Sequence, residues 1–419
     1  MSQQIYNALF PYYVEVCTVT QYVRRLAKPG GWGGHASLFL HGAELAPAGH
    51  PRLRLVPERS DLSAPDSGTG VSVNRIFTSA SWVAVPGRDE FFHGAVTGDQ
   101  LLDEPAYEAA VERAAASGWF AGIAIEDAVM RRKPPGMRAD EFIVRNSIGT
   151  DFAITFARTA YSARLPLTRD AMGKVIAYLN RVNEAALRTG ARWDLYTNNC
   201  SHVVHNALAA TGVWDPKEAR KPGTVSFLRT LLSVSKAVAA RRLSDFAFPA
   251  NTFVRTYEAG NERPIDDAVG AFSDHDLVRT IQDGWLGTGP GAVIARYPMH
   301  DAGRNALFAA GRDPFLFSVP LFWDKKHRFM RLTRNPPAST TDLGANLAQF
   351  RDRYARTLAT RRDEAVPFGL VDQNAFGRFR DRFYAQIAEE LRRTEERIAE
   401  YRRLVPQSLS AEGFRSTDA

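Results

Sequence analysis

The chain has 419 residues, 45% hydrophobic and 24% charged, a composition ordinary for a soluble globular protein and a length that allows two or three domains and a substantial core. Its 53 basic and 46 acidic residues leave a net charge of +7, a mild tilt rather than the clustered Lys and Arg of a nucleic-acid binder. Two cysteines exclude a disulfide scaffold and imply a reducing compartment, and no uninterrupted apolar run reaches the roughly 18 residues of a membrane-spanning helix.

The amino terminus, "MSQQIYNALFPYYVEV", lacks the basic start, apolar run and small-residue cleavage site of a signal peptide. A cytoplasmic protein is therefore expected, with export by a route needing no cleavable signal left open. "YYVEVCTVTQYV" alternates β-branched and polar residues and predicts a strand. The turn-rich "AKPGGWGG" must end it. "HASLFLHGAEL" resumes the alternation, placing His35, Ser37, Phe39 and His41 on one face and Ala36, Leu38 and Leu40 on the other. "HPRLRLV" predicts a further strand. After the polar excursion "ERSDLSAPDSGTG", "VSVNRIF" and "SWVAVPG" predict two more.

"DEPAYEAAVERAAASGWFAG" is helical by its alanine and glutamate content. "DFAITFARTAYSARLPL" returns to strand character. "TRDAMGKVIAYLNRVNEAAL" predicts an amphipathic helix, with Thr168 as N-cap and Met172, Val175, Ile176, Leu179 and Val182 on one face. "SHVVHNALAATG" is a helix stopping at Gly212, and "TVSFLRTLLSVSKAVAARRL" is another. "FAFPANTF" marks a boundary, and residues 250–335 are mixed. From "TTDLGANLAQFRDRYARTL" onward the chain is mainly helical, with Phe376, Phe379, Phe383, Ile387, Leu391, Ile398 and Tyr401 forming a core or helix-pairing stripe. "SLSAEGFRSTDA" is expected to be a disordered tail.

"YTNNC" carries the chemistry. A cysteine at the first turn of a helix feels the partial positive charge of the N–H groups there, which favours the attacking thiolate. Asn198 and Asn199 are good caps, so the helix is expected to begin near Cys200, its own N–H placed to receive an oxyanion. His202 and His205 lie on the same helix and are poorly placed as bases. His35, opening a strand after "GGWGG", is the stronger candidate, because the small residues leave room for ring and substrate. Trp32, beside those glycines, lines a substrate entrance or simply packs. A zinc reading of Cys200, His202 and His205 fails because the three do not share a helical face. "SDHD" at 273–276 is a helix cap rather than a metal site, and "GWLGTGPGAV" does not match a phosphate loop. The bland alternative for Cys200 is a small buried hydrophobe, and for His35 a satisfied strand-end histidine.

A "GHASLFL" strand followed far downstream by "NNC" at a helix start resembles the circularly permuted branch of the papain-like, NlpC-type thiol enzymes, which includes lecithin–retinol acyltransferase-like proteins. In that branch the histidine leads and the cysteine follows. The resemblance covers roughly residues 8–215 and departs from compact members in the long insertion between the motifs. It implies an antiparallel sheet with a packed cysteine helix, acting on an amide, isopeptide or ester carbonyl. It also implies a third polar residue orienting the imidazole, for which the chain offers Glu44, with His50 and Asn74 as alternatives.

The expectation is thus an α+β protein: a thiol-enzyme domain over 1–222, a mixed accessory region over 223–335, helices over 336–405 and a tail over 406–419. Cys200 is the expected nucleophile, His35 the base and Glu44 the orienting residue, with no cofactor or metal. The substrate would be a peptide, isopeptide or lipid ester. No nucleic acid or integral membrane partner is expected, and the carboxyl-terminal helices could hold a protein partner. The rival class is a non-catalytic interaction protein on a papain-like scaffold.

Overall fold

The computed structural model describes residues 3–19, 35–47, 50–58, 67–96, 103–148, 151, 160–191, 193, 199–210, 290–297, 338–359 and 373–415. Helix α1 (Gln3–Leu9) leads into β1 (Tyr13–Val19), followed by β2 (His35–His41), β3 (Ala43–Leu45), β4 (Leu53–Leu55), β5 (Gly68–Ser72) and β6 (Val83–Pro86). Then come α2 (Arg88–His93), α3 (Glu104–Ala116), α4 (Asp127–Met130), α5 (Ala139–Ser147), β7 (Ala160–Pro166), α6 (Arg169–Thr189) and α7 (Cys200–Ala209). Strand β8 (Val293–Tyr297) and helices α8 (Ala338–Thr341), α9 (Leu343–Ala359) and α10 (Gln373–Arg415) complete the described elements.

The fold is mixed α+β. Six strands form one sheet in the order β6-β5-β2-β1-β7-β8, and every pairing is antiparallel. β3 and β4 form a separate two-stranded ribbon. Gly42 splits the run expected as one strand, "HASLFLHGAEL", into β2 and β3. Its φ of 87° suits glycine, and an added Cβ would lie 2.5 Å from the Tyr12 ring.

Strand alternation sorts the side chains into two buried layers. Val14 and Val16 of β1, Ala36, Leu38 and Leu40 of β2, and Val71 of β5 share one cluster with Met172, Val175 and Leu179 of α6 and Val203, Val204 and Leu208 of α7. Cys17 and Phe39 point the other way, into a cluster completed by Phe91 and Phe92 of α2, Val111 of α3 and Ile143 of α5. Close packing on that second face requires Gly70, where a Cβ would fall 1.9 Å from the Phe91 ring.

Capping follows the sequence. Thr168 Oγ1 accepts from Ala171 N at 3.1 Å and starts α6, whose expected apolar face is buried at Met172, Val175, Ile176 and Leu179. Asp103 caps α3 in the same way, and the helix ends at Ala116, earlier than the alanine-rich run extends. Helices α1, α2 and α5 lie where no helix was expected.

Two findings alter the expected division of the chain. Strand β8, from the stretch assigned to an accessory region, pairs with β7 as the sixth strand of the main sheet. Helices α9 and α10 pack onto α1: Leu343, Leu347 and Leu404 share a cluster with Ile5, Tyr6, Leu9 and Val293. Of the apolar stripe expected on α10, Ile387 is buried and Ile398 and Tyr401 pack against that cluster, which also takes in Leu404 from outside the stripe. Asn346 ties α9 to the entry of β8, accepting from Gly291 N at 2.7 Å and donating to the Ala292 carbonyl at 3.2 Å. α10 also continues to Arg415, across part of the stretch expected as a disordered tail. The loop at 27–34 with Trp32, Asn198, Gly212, the helix expected over 224–243 and the stretch at 273–276 lie outside the described residues.

Candidate active site

Cys200 is the first residue of α7, where the doubled asparagine led us to expect it. Asn199 is buried, and its carbonyl accepts from His202 N at 3.1 Å and Val203 N at 3.2 Å. Its side-chain Oδ1 faces His202 N at 3.4 Å and His202 Nδ1 at 3.0 Å, while Asn199 N donates to His202 Nδ1 at 3.4 Å. Cap residue and third helical residue therefore serve each other reciprocally, a capping box with histidine in the place of glutamate. His202 has a structural role in this first turn. The Cys200 thiol, half-buried against the α6–α7 side of the sheet, stands where the helix N-terminus favours negative charge.

His35 opens β2 and is 7% exposed. Its Nε2 lies 2.7 Å from the hydroxyl of Ser72, the last residue of β5. Glu44, the expected orienting residue, is turned elsewhere: it sits on the β3–β4 ribbon with its Oε1 2.7 Å from Arg54 Nε in a solvent-exposed pair. The alternatives are also engaged away from the ring. His50 Nε2 is 2.8 Å from the Ser79 carbonyl, and Asn74 Nδ2 donates to Asp151 at 2.7 Å. Ser72 went unnoticed in the sequence, although its signal is present. In "GTGVSVN" Val71 and Val73 point to the α7 side, so Ser72 must point to the face of His35.

The same pleat relates His35 to Cys200. Ala36, Leu38 and Leu40 face α7, so His35, Ser37 and Phe39 face the α2–α3–α5 side. α7 lies against β2, yet the strand presents Ala36 rather than His35 to it. On the histidine side a row of small polar groups crosses the sheet. Cys17 is the register partner of Ser37 on β2 and of Ser162 on β7. Ser37 Oγ is buried beside the Cys17 thiol.

Cys17 is fully buried, its Sγ donating to the Glu15 carbonyl at 3.4 Å. Burial pushes its thiol pKa well up, and the neighbouring Glu15 charge pushes it further. It is no candidate nucleophile. Neither cysteine is in a disulfide.

Deeper on this face lies a charged network. Glu15 meets Arg88 Nη2 at 2.8 Å and Arg164 Nε at 3.3 Å and accepts from the hydroxyls of Ser162 and Tyr297. Burial alone would raise the Glu15 pKa, but the two guanidiniums and the hydroxyls outweigh it and hold the carboxyl at about 2. The network stitches β1, β7, β8 and α2 together. The surrounding guanidiniums and hydroxyls favour the ionised carboxylate at neutral pH.

Among the described residues no group of three or more His, Cys, Asp or Glu is placed to hold a metal ion, and no helix is long and apolar enough to cross a membrane. Compared with known proteins, the chain matches no family model, no curated protein and no solved structure.

Proposed function

We propose that the protein is a cysteine-dependent hydrolase or acyltransferase with Cys200 as nucleophile and His35 as base. The observation that carries this reading is a half-buried thiol at the first residue of a capped helix that lies against the strand opened by His35. The Cys200 sulfur attacks a carbonyl carbon, and the carbonyl electron pair moves to oxygen, stabilised by the Cys200 N–H and the helix N-terminus. The tetrahedral intermediate collapses to a thioester, and the imidazolium gives its proton to the departing amine or alcohol. Water or another acceptor, deprotonated by the imidazole, then releases the acyl group. An amide, isopeptide or lipid-ester carbonyl fits this chemistry. Ser72 takes the orienting role first assigned to Glu44, since its hydroxyl lies 2.7 Å from His35 Nε2.

A non-catalytic interaction role is the second reading. The pleat favours it, because His35 and α7 belong to opposite faces of the sheet. Alkylation with iodoacetamide across pH separates the two. A nucleophile paired with His35 reacts at neutral pH faster than an ordinary thiol, and His35→Ala slows it about tenfold or more. A rate that follows an ordinary thiol near pKa ~8.5 and ignores His35→Ala leaves the interaction role standing.

A further inference from the structure

Three chain segments close around a cavity of about 300 Å³ lined by Arg75, Ile76, Phe77, Arg132, Glu126 and Trp193, among others, with neither Cys200 nor His35 in its lining. Backbone hydrogen bonds hold the walls. Phe77 and Ile125 form an isolated antiparallel bridge, Thr78 N donates to the Ala124 carbonyl at 2.9 Å, and Glu126 N donates to the Ile76 carbonyl at 2.9 Å. The third segment is tied on by Ala191 N, which donates to the Thr78 carbonyl at 2.6 Å. Ile76 and Phe77 are buried and form a rigid apolar floor. The cavity is thus built before any ligand arrives.

Its chemistry is selective. Among the described residues the side chains of Arg75 and Arg132 make no hydrogen bond or ion pair, whereas many other arginines of the chain are paired with carboxylates. Two uncommitted guanidinium forks in one concavity match the oxygens of a phosphate. Trp193, 39% exposed, is one of only two large hydrophobic residues exposed among the described residues, and it lies on the same cavity. An indole held half in water is a stacking surface for a flat ring. Glu126 adds an acceptor for a ring N–H, and two arginines against one carboxylate leave the lining net positive.

We propose that this cavity binds a phosphorylated heterocycle of nucleoside monophosphate size, its ring on Trp193 and its phosphate between Arg75 and Arg132. The site is independent of the thiol reading. Isothermal titration calorimetry on the full chain at low salt, with AMP, adenosine and inorganic phosphate as probes, tests it. AMP should bind at millimolar concentration or tighter, with adenosine and phosphate each about tenfold weaker or worse. Trp193→Ala and the double variant Arg75→Ala/Arg132→Ala should each weaken AMP about tenfold, and raising the salt should weaken it further. These residues are exposed, so the variants retain the fold, which circular dichroism verifies. Absent AMP binding overturns the proposal. So does AMP binding unchanged in both variants, or inorganic phosphate binding as tightly as AMP, which marks a plain anion site.

Discussion

His35 Nε2 and Ser72 Oγ lie 2.7 Å apart in the buried interior, joining the first residue of β2 to the last residue of β5. Ser72→Ala leaves a buried ring nitrogen without this partner and should cost about 1–3 kcal/mol in urea unfolding. Ser72→Thr, which keeps a hydroxyl, should recover part of that loss. In the thiol reading Ser72→Ala also slows alkylation of Cys200 at neutral pH, because the imidazole loses its orientation. Unfolding and labelling curves that both overlay the wild type would remove Ser72 from either role.

The two thiols should separate cleanly. Cys17 is buried and its pKa is driven up by desolvation and by Glu15, while Cys200 is half-exposed at a helix start. Intact-mass analysis after brief native alkylation at pH 7.5 should show a single adduct that maps to Cys200. A second adduct should appear only after unfolding. Double modification of the folded protein would contradict the burial of Cys17.

Glu15 holds two buried guanidiniums in place. Glu15→Gln keeps the shape but leaves Arg88 and Arg164 without their counter-charge, at a cost of about 3–5 kcal/mol, measurable by denaturant titration. Its folded pKa of about 2 lies below the ordinary carboxylate value near 4.3. The unfolded chain therefore takes up a proton first as pH falls. The contribution of Glu15 is complete above the unfolded pKa and is lost between there and pH 2. A difference between wild type and Glu15→Gln that stays constant from pH 5 to pH 2 would refute this.

Asn183 pins α6 to the loop preceding β6. Its Oδ1 accepts from Ser81 N at 2.8 Å and Trp82 N at 3.0 Å, and its Nδ2 donates to the Trp82 and Pro51 carbonyls at 3.0 and 3.2 Å. Asn183→Leu fits the apolar surroundings but strands four backbone groups. It should cost about 3 kcal/mol or more, despite raising the hydrophobicity of the helix face. Thermal melting read by near-ultraviolet circular dichroism, which reports on the nearby Trp82, checks it.

Local signals carried much of the fold. Period-two alternation in "YVEVCTV" and "HASLFLH" marks β1 and β2. The Thr168 cap and the spacing of Met172, Val175, Ile176 and Leu179 mark α6, and the asparagine before Cys200 marks the start of α7. Each depends on neighbours within a turn or a few strand residues, so the chain alone contains the information. The short helices α1, α2 and α5 escaped notice because their helicity comes from packing Tyr6, Phe91 and Ile143 into clusters made by distant segments.

By itself, then, the sequence determined local placement: a thiol at a capped helix end, an imidazole in a strand, and the parity that puts His35 opposite Ala36. Tertiary structure decided what those groups meet. Strand order brought Ser72 rather than Glu44 to the imidazole, because β5 pairs with β2 while Glu44 leaves the sheet at Gly42. The assignment of α6 and α7 to one face put Cys200 on the side of Ala36. Strand β8 entered the central sheet from the far half of the chain. Pairing partners and helix sides are set by contacts between residues tens to hundreds of positions apart, and no local pattern encodes which of several compatible surfaces will meet.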